Sequence, residues 1–116
     1  MRLVVAVHSR EIKTALFLAL NGFDDVTIVA TATSTAELTS YCRTFEPDVV
    51  IFERALPGRP TAEVLTDLRD SLPGCRIQMI DEHGGRKEEQ GLPEVEVFTD
   101  LEHLIAAYPE SGADRS

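Results

Sequence analysis

Five short aliphatic runs alternate with amphipathic stretches along this chain of 116 residues. The runs are rich in valine and isoleucine, which favour β-strands, and the segments between them are long enough to form helices. Because parallel strands must be joined by long crossovers, this alternation predicts a parallel sheet covered by helices on both faces. We therefore expect a doubly wound α/β domain. The predicted strands are Leu3–Val7, Val26–Ala30, Asp48–Phe52, Arg76–Ile80 and Val95–Phe98.

Capping and breaking residues mark the ends of the predicted helices. The first helix ends at Asn21–Gly22, and the second opens at Ser34–Glu37, which has the spacing of a capping box. The third ends at Pro73–Gly74, and the last opens at a second capping box, Thr99–Glu102. Between the fourth and fifth strands, residues 84–90 offer no apolar face. We therefore expect the fourth helix to be short, frayed or absent.

Composition places the chain among soluble folded domains, with 43% hydrophobic and 27% charged residues. We expect one domain over residues 1–108 and a polar tail or linker over residues 109–116, which fits a connection to a C-terminal effector domain. The net charge of -9 disfavours direct nucleic-acid binding, since phosphate contact needs a basic face. No apolar run approaches the ~20 residues of a membrane span, and the N-terminus lacks the pattern of a signal peptide. A cytoplasmic protein is expected.

Enzyme motifs are missing from the sequence. The segment Val7–Glu11, after the first strand, has no glycines for a phosphate-binding loop. Ser9 is better placed as the N-cap of the first helix than as a nucleophile activated by the adjacent His8. Cys42 and Cys75 fall at apolar positions without the spacing of metal ligands, so we expect buried reduced thiols. We expect neither catalysis nor a bound cofactor.

The segment from Pro47 to Gly58 carries the most specific motif. A buried strand runs into Glu53, and a turn at Pro57–Gly58 follows four residues later. This arrangement resembles the response-regulator receiver domain, whose third strand ends in a phosphorylatable Asp at this spacing from such a turn. The resemblance implies a flavodoxin-like, doubly wound five-stranded parallel sheet of order 2-1-3-4-5. In such a sheet the carboxyl ends of strands one, three and four meet beside the ligand-binding edge.

The other positions of the receiver signature depart from the family pattern. His8 and Ser9 stand where the family has an acidic pair that holds a divalent cation. Asp81 stands where it has a Ser or Thr hydroxyl, and Thr99 stands where it has a Lys. The last lysine of the chain is Lys87, which precedes the fifth strand, so no shift of the alignment restores the missing one. Phosphoryl transfer needs the cation, the lysine and the hydroxyl to balance charge. A degenerate phosphoacceptor pocket is predicted at His8, Ser9, Glu53, Asp81 and Thr99.

We interpret the chain as a pseudo-receiver. The resemblance then implies a non-phosphorylatable module for protein–protein interaction or dimerisation in a signalling or regulatory protein. Its partner is expected to be another protein or a second copy of the chain, as a homodimer. The first and last helices are the candidate contact surfaces, and the candidate interface residues on the last helix are Leu101, Ile105 and Tyr108.

Three alternatives stay open for the pocket. The first alternative is that Glu53 mimics phospho-Asp. We favour instead an acid that is solvated or hydrogen-bonded to His8, because the groups that sense a phosphate are missing. A second alternative is a receptor for a metal or small ligand, since His8, Glu53, Asp81 and Glu82 are ligand types that suit Zn²⁺ or Mn²⁺. The third is a receiver still phosphorylated on Asp81 or His8.

Overall fold

A five-stranded parallel sheet is the centre of the structure, a computed structural model that describes residues 1–54, 56–81, 95–98 and Leu104. The strands pair in the order β2-β1-β3-β4-β5, and every pairing is parallel. The predicted doubly wound α/β fold and its strand order are confirmed. The elements in chain order are β1 (Arg2–Ala6), α1 (Arg10–Leu20), β2 (Thr27–Ala32), α2 (Thr35–Phe45), β3 (Val49–Glu53), α3 (Thr61–Ser71), β4 (Arg76–Ile80) and β5 (Val95–Phe98).

The predicted bounds of β4 and β5 are confirmed, whereas those of β1, β2 and β3 differ from the observed ones by one or two residues. The second strand begins at Thr27 rather than Val26, because the Val26 N–H donates to the Phe23 carbonyl in the preceding turn. The third strand extends to Glu53, which pairs in register with Ile80 of β4. Glu53 is therefore part of the sheet, and the direction of its side chain is fixed by the pleat.

The core has two layers, one on each face of the sheet. Strand β1 alternates between them, because Leu3 and Val5 face one layer while Val4 and Ala6 face the other. The layer of Leu3 is covered by α1 and by Leu104, which is helical and fully buried. The layer of Val4 is covered by α2 and α3. Burial on both faces explains why β1 and β3 read as continuous apolar runs rather than alternating ones.

The starts of α1 and α2 follow the predicted capping residues. The Ser9 hydroxyl accepts a hydrogen bond from the Ile12 N–H at 3.4 Å, which confirms Ser9 as the N-cap of α1. In α2 the Ser34 hydroxyl accepts from the Glu37 N–H at 3.2 Å, whereas the Glu37 carboxylate accepts from the Thr33 N–H at 2.8 Å. That bond to Thr33 lowers the pKa of Glu37. None of the described helices has the length and apolarity of a membrane span.

Several predictions fall on residues outside those that the structure describes. The segment 84–90, where the fourth helix is predicted to be short, frayed or absent, is not among the described residues, and the predicted boundary between the domain and residues 109–116 lies beyond the last described position. The same is true of Thr99 in the pocket and of the interface residues Leu101, Ile105 and Tyr108.

Candidate functional site

The Glu53 side chain bridges the end of β3 to the loop between β1 and α1. Its Oε1 atom accepts a hydrogen bond from the His8 N–H at 2.7 Å and another from the Ser9 N–H at 3.0 Å. Ser9 is the N-cap of α1, so this carboxylate oxygen lies at the positive end of the helix dipole. Glu53 thus stabilises the start of α1 from a different strand, in the way that a capping side chain does from within the helix.

The bond between Glu53 and His8 involves the His8 backbone rather than its imidazole. His8 is exposed, and Ser9 and Glu53 are half-buried. The expectation that Glu53 is hydrogen-bonded to His8 is therefore met through the main chain. Because the backbone N–H is available whatever the side chain, the identity of residue 8 does not determine this contact.

Asp81 directly follows β4 and lies beside Arg54. Arg54 is the residue after Glu53 in the sequence. The Arg54 Nη1 and the Asp81 Oδ2 are 3.7 Å apart, and the Asp81 side chain is only 1% exposed. The Arg54 N–H also donates to the Ile80 carbonyl at 2.9 Å, which extends the β3–β4 pairing by one residue. A carboxylate is costly to bury, and a neighbouring guanidinium offsets part of that cost.

The sequence interpretation did not include Arg54 in the site. The parallel register could have identified it, because Glu53 pairs with Ile80 and the next residue on each strand is then Arg54 and Asp81. An acid and a base at equivalent ends of neighbouring strands are expected to meet. The receiver family pattern by itself gives no indication of Arg54, whereas the strand register does.

The turn after Glu53 is fastened to the start of α2 through Thr35. The Thr35 N–H donates to the Pro57 carbonyl at 3.0 Å, and the Thr35 hydroxyl accepts from the Arg59 N–H at 2.9 Å. Gly58 has φ +126°, and a Cβ atom at this position would overlap the Thr35 Oγ1. Only glycine satisfies both constraints, which explains the glycine of the Pro57–Gly58 motif.

The structure gathers part of the predicted pocket. His8, Ser9 and Glu53 are in direct contact, and Asp81 directly follows the neighbouring strand β4. In the described part of the chain, no three His, Cys, Asp or Glu side chains are arranged so that they could share a metal ion. Glu82, the fourth ligand of the metal alternative, is not among the described residues.

Both cysteines are free and buried, as predicted. Burial raises the pKa of the Cys42 thiol to about 12 and that of Cys75 to about 11. Since the thiolate is the nucleophile and the metal ligand, thiols with these pKa values are poor candidates for either role near neutral pH.

The fold is that of response-regulator receiver domains. The response regulator domain of CheB from Thermotoga maritima matches with a TM-score of 0.79 and 18% identity over 96% of this chain and 92% of its own. The signal receiver domain of NarL from Mycobacterium tuberculosis matches with a TM-score of 0.76 and 22% identity, over 97% of this chain and 95% of its own.

A two-component response regulator of the LuxR family from Aurantimonas sp. SI85-9A1 is also similar, with a TM-score of 0.66 and 21% identity. That match covers 72% of this chain but only 60% of the regulator, so the chain spans little more than half of that protein. No family model matches the sequence, and no curated protein matches it. At these identities the similarity establishes the receiver fold.

Proposed function

We propose that this chain is a receiver-fold signalling module that works without phosphorylation, has no enzymatic activity and acts through protein contacts. The observation that carries the proposal is the Glu53 carboxylate, which is held by the N–H groups of His8 and Ser9. At this strand end, a phosphorylatable receiver presents an aspartate to its phosphodonor. Glu53 is longer by one methylene, about 1.5 Å, and its Oε1 is already engaged as an acceptor. In-line attack tolerates such displacement poorly.

The surroundings of Glu53 also favour a structural role over mimicry of phospho-Asp. A phosphate mimic acts by contacting the hydroxyl and the lysine that sense the phosphoryl group. Asp81 replaces that hydroxyl and lies beside Arg54, and the hydrogen bonds of Glu53 run instead to the β1–α1 loop. A group biases a two-state equilibrium only through contacts that differ between the two states. Glu53 therefore supports one fixed arrangement of the domain.

We further propose that the module belongs to a longer regulatory protein. The LuxR-family regulator from Aurantimonas extends well beyond the region that this chain matches. The net charge of -9 disfavours direct binding of nucleic acid by this domain. A downstream effector joined through the polar residues 109–116 would supply the output, and this domain would supply the contacts that control it.

Incubation of the chain with acetyl phosphate and Mg²⁺, followed by intact-mass spectrometry, tests the proposal directly. We expect no phosphoryl adduct, whereas a receiver domain with the complete signature, treated in parallel, should gain one. Amide-resolved NMR with Mg²⁺ and then beryllofluoride is expected to leave the signals of His8, Ser9, Glu53 and Asp81 unshifted. A phosphoryl adduct, or saturable beryllofluoride shifts at these strand ends, would contradict phosphorylation-independent function.

The same NMR experiment distinguishes the ligand-receptor alternative. Titration with Zn²⁺ or Mn²⁺ alone should give no saturable change at His8, Glu53 or Asp81 if the pocket is structural. A saturable response confined to these residues, and abolished by His8→Ala, would support a metal receptor instead. Because His8 contacts Glu53 only through its backbone, His8→Ala is not expected to disturb the fold.

A further inference from the structure

The residues around Glu53 do not fit the divalent cation that the receiver pattern implies at this edge of the sheet. Mg²⁺ takes oxygen ligands in octahedral geometry, and protein side chains supply them mainly as carboxylates. Where the family has an acidic pair after the first strand, this chain has His8 and Ser9. Both residues direct a backbone N–H toward Glu53. An N–H group is a donor without a lone pair and cannot ligate a cation.

The two carboxylates at the ends of β3 and β4 are engaged in other contacts. The Glu53 Oε1 accepts from the His8 N–H at 2.7 Å and from the Ser9 N–H at 3.0 Å, which uses both lone pairs of that oxygen. The Asp81 side chain is 1% exposed, and its Oδ2 lies 3.7 Å from the Arg54 guanidinium. Together the two acids therefore do not form the ligand set of a Mg²⁺ site.

We propose that the Glu53 carboxylate takes the place of the cation at this edge, and that the length of its side chain is what excludes a divalent ion. This inference rests on the proposed function and names the residue responsible for the exclusion. A cation held by acids at positions 8 and 9 would lie between the β1–α1 loop and the end of β3. The hydrogen bonds of Glu53 cross that same space and join the two segments directly.

The dimensions of the bridge show why length decides. An aspartate at position 53 would be shorter by one methylene, about 1.5 Å. Starting from 2.7 and 3.0 Å, a retreat of that size takes both N···O distances beyond hydrogen-bonding range. The carboxylate would then leave the β1–α1 loop, and the space between them would become available to an ion.

Charge does not account for the exclusion. The net charge of -9 attracts cations to the chain at long range, and further acids in the β1–α1 loop would strengthen that attraction. They would not remove the carboxylate that fills the space. Restoring the acidic pair without shortening Glu53 should therefore fail to create a Mg²⁺ site.

Two variants of equal net charge separate the length of residue 53 from the charge of the loop. The double variant His8→Asp, Ser9→Asp restores the acidic pair and keeps Glu53. The triple variant adds Glu53→Asp, so the two chains differ only by one methylene. Aspartate is as favourable an N-cap as serine, and His8 is exposed, so α1 should keep its start in both variants.

Titration with Mg²⁺ alone, at constant ionic strength, is followed by amide-resolved NMR and by Tm. The triple variant should show saturable shifts at positions 8, 9 and 53 with a millimolar dissociation constant. The parent chain and the double variant should show none at the same concentrations. Tm of the triple variant should rise with Mg²⁺, because a ligand that binds only the folded state stabilises it. This second measurement detects binding even where Glu53→Asp lowers the stability of the fold.

Saturable Mg²⁺ binding at these positions by the parent chain or by the double variant overturns the proposal. A triple variant that binds no Mg²⁺ overturns it as well, because the length of Glu53 is then not what excludes the ion. None of these results decides the proposed function, which is tested by phosphoryl transfer to the parent chain and by its response to beryllofluoride. A parent chain that accepts a phosphoryl group contradicts the proposed function whatever the variants bind.

Discussion

Replacing Glu53 with alanine is expected to loosen the start of α1. The change removes two hydrogen bonds to a carboxylate, one of 2.7 Å from the exposed His8 and one of 3.0 Å from the half-buried Ser9. Hydrogen bonds to charged groups each contribute about 1.5–3 kcal/mol, but water can replace the partner of an exposed N–H. The bond to Ser9 therefore dominates, and the loss in the free energy of unfolding should be about 2 kcal/mol. With an unfolding entropy of about 2.1 cal/mol/K per residue, Tm should fall by about 8 °C.

Circular dichroism melts of Glu53→Ala, Glu53→Gln and a control variant measure this loss. The Gln variant should fall between the parent and the Ala variant, because its amide oxygen can still accept both bonds without the charge. Asp70→Ala removes an exposed acid from α3 and should leave Tm unchanged. Amide hydrogen exchange at His8 and Ser9 should accelerate in Glu53→Ala. If Tm moves by less than about 2 °C and these two exchange rates are unaltered, the carboxylate does not stabilise this loop.

Further predictions concern the buried ion pair, the turn and the thiols. Arg54→Met should lower the free energy of unfolding in urea by about 2–4 kcal/mol, because it leaves Asp81 buried without its cation. The double variant Arg54→Met, Asp81→Asn should recover much of that free energy. If the losses of the two single variants add in the double variant, the two residues are not coupled. Gly58→Ala should lower the free energy of unfolding by about 2–4 kcal/mol, because φ is +126° and the added Cβ would overlap Thr35. In the control variant Gly74→Ala the added Cβ meets nothing within 4 Å, so stability should not change. Equal losses in the two variants would contradict the explanation. The pKa of Cys42 is raised to about 12 from 9.0, so the thiol is protonated in both states below pH 9 and ionises first in the unfolded state above it. Stability should therefore fall between pH 9 and pH 12, and the fall should be shallower in Cys42→Ala; identical pH dependence would refute this assignment.

Most of the fold could be predicted from periodicity and turn chemistry. Helix α1 ends at Asn21–Gly22, and helix α2 begins directly after Ser34, as predicted. These boundaries are predictable because capping and backbone preferences act locally. The end of β3 was less predictable. Whether Glu53 belongs to the strand or to the following turn depends on its pairing with Ile80, which is a contact between distant segments. Boundaries of this kind depend on tertiary hydrogen bonds rather than on local propensity.

The site was predicted less completely than the fold. The convergence of His8, Ser9 and Glu53 follows from parallel strands ending at one edge of the sheet. The sequence could not specify which atoms meet, because the partners of Glu53 are backbone N–H groups that every residue type except proline supplies. The pairing of Asp81 with Arg54 became evident only from the strand register.

Glu53 and Arg54 are consecutive residues at the end of the central strand, yet they stabilise opposite sides of it. Glu53 binds the loop after β1, and Arg54 contacts the residue after β4, the two strands that flank β3. A switch requires a second arrangement of such loops at accessible free energy. If the Glu53 hydrogen bonds stabilise the closed β1–α1 loop by about 2 kcal/mol, the released loop would be populated at roughly 3%. Any modification of Glu53 would first have to break these contacts. The two hydrogen bonds of Glu53 therefore hold the start of α1 in place. A β1–α1 loop held in one arrangement is what we expect of a module that needs no phosphoryl signal, and Glu53→Ala should therefore release this loop more often than the parent chain does.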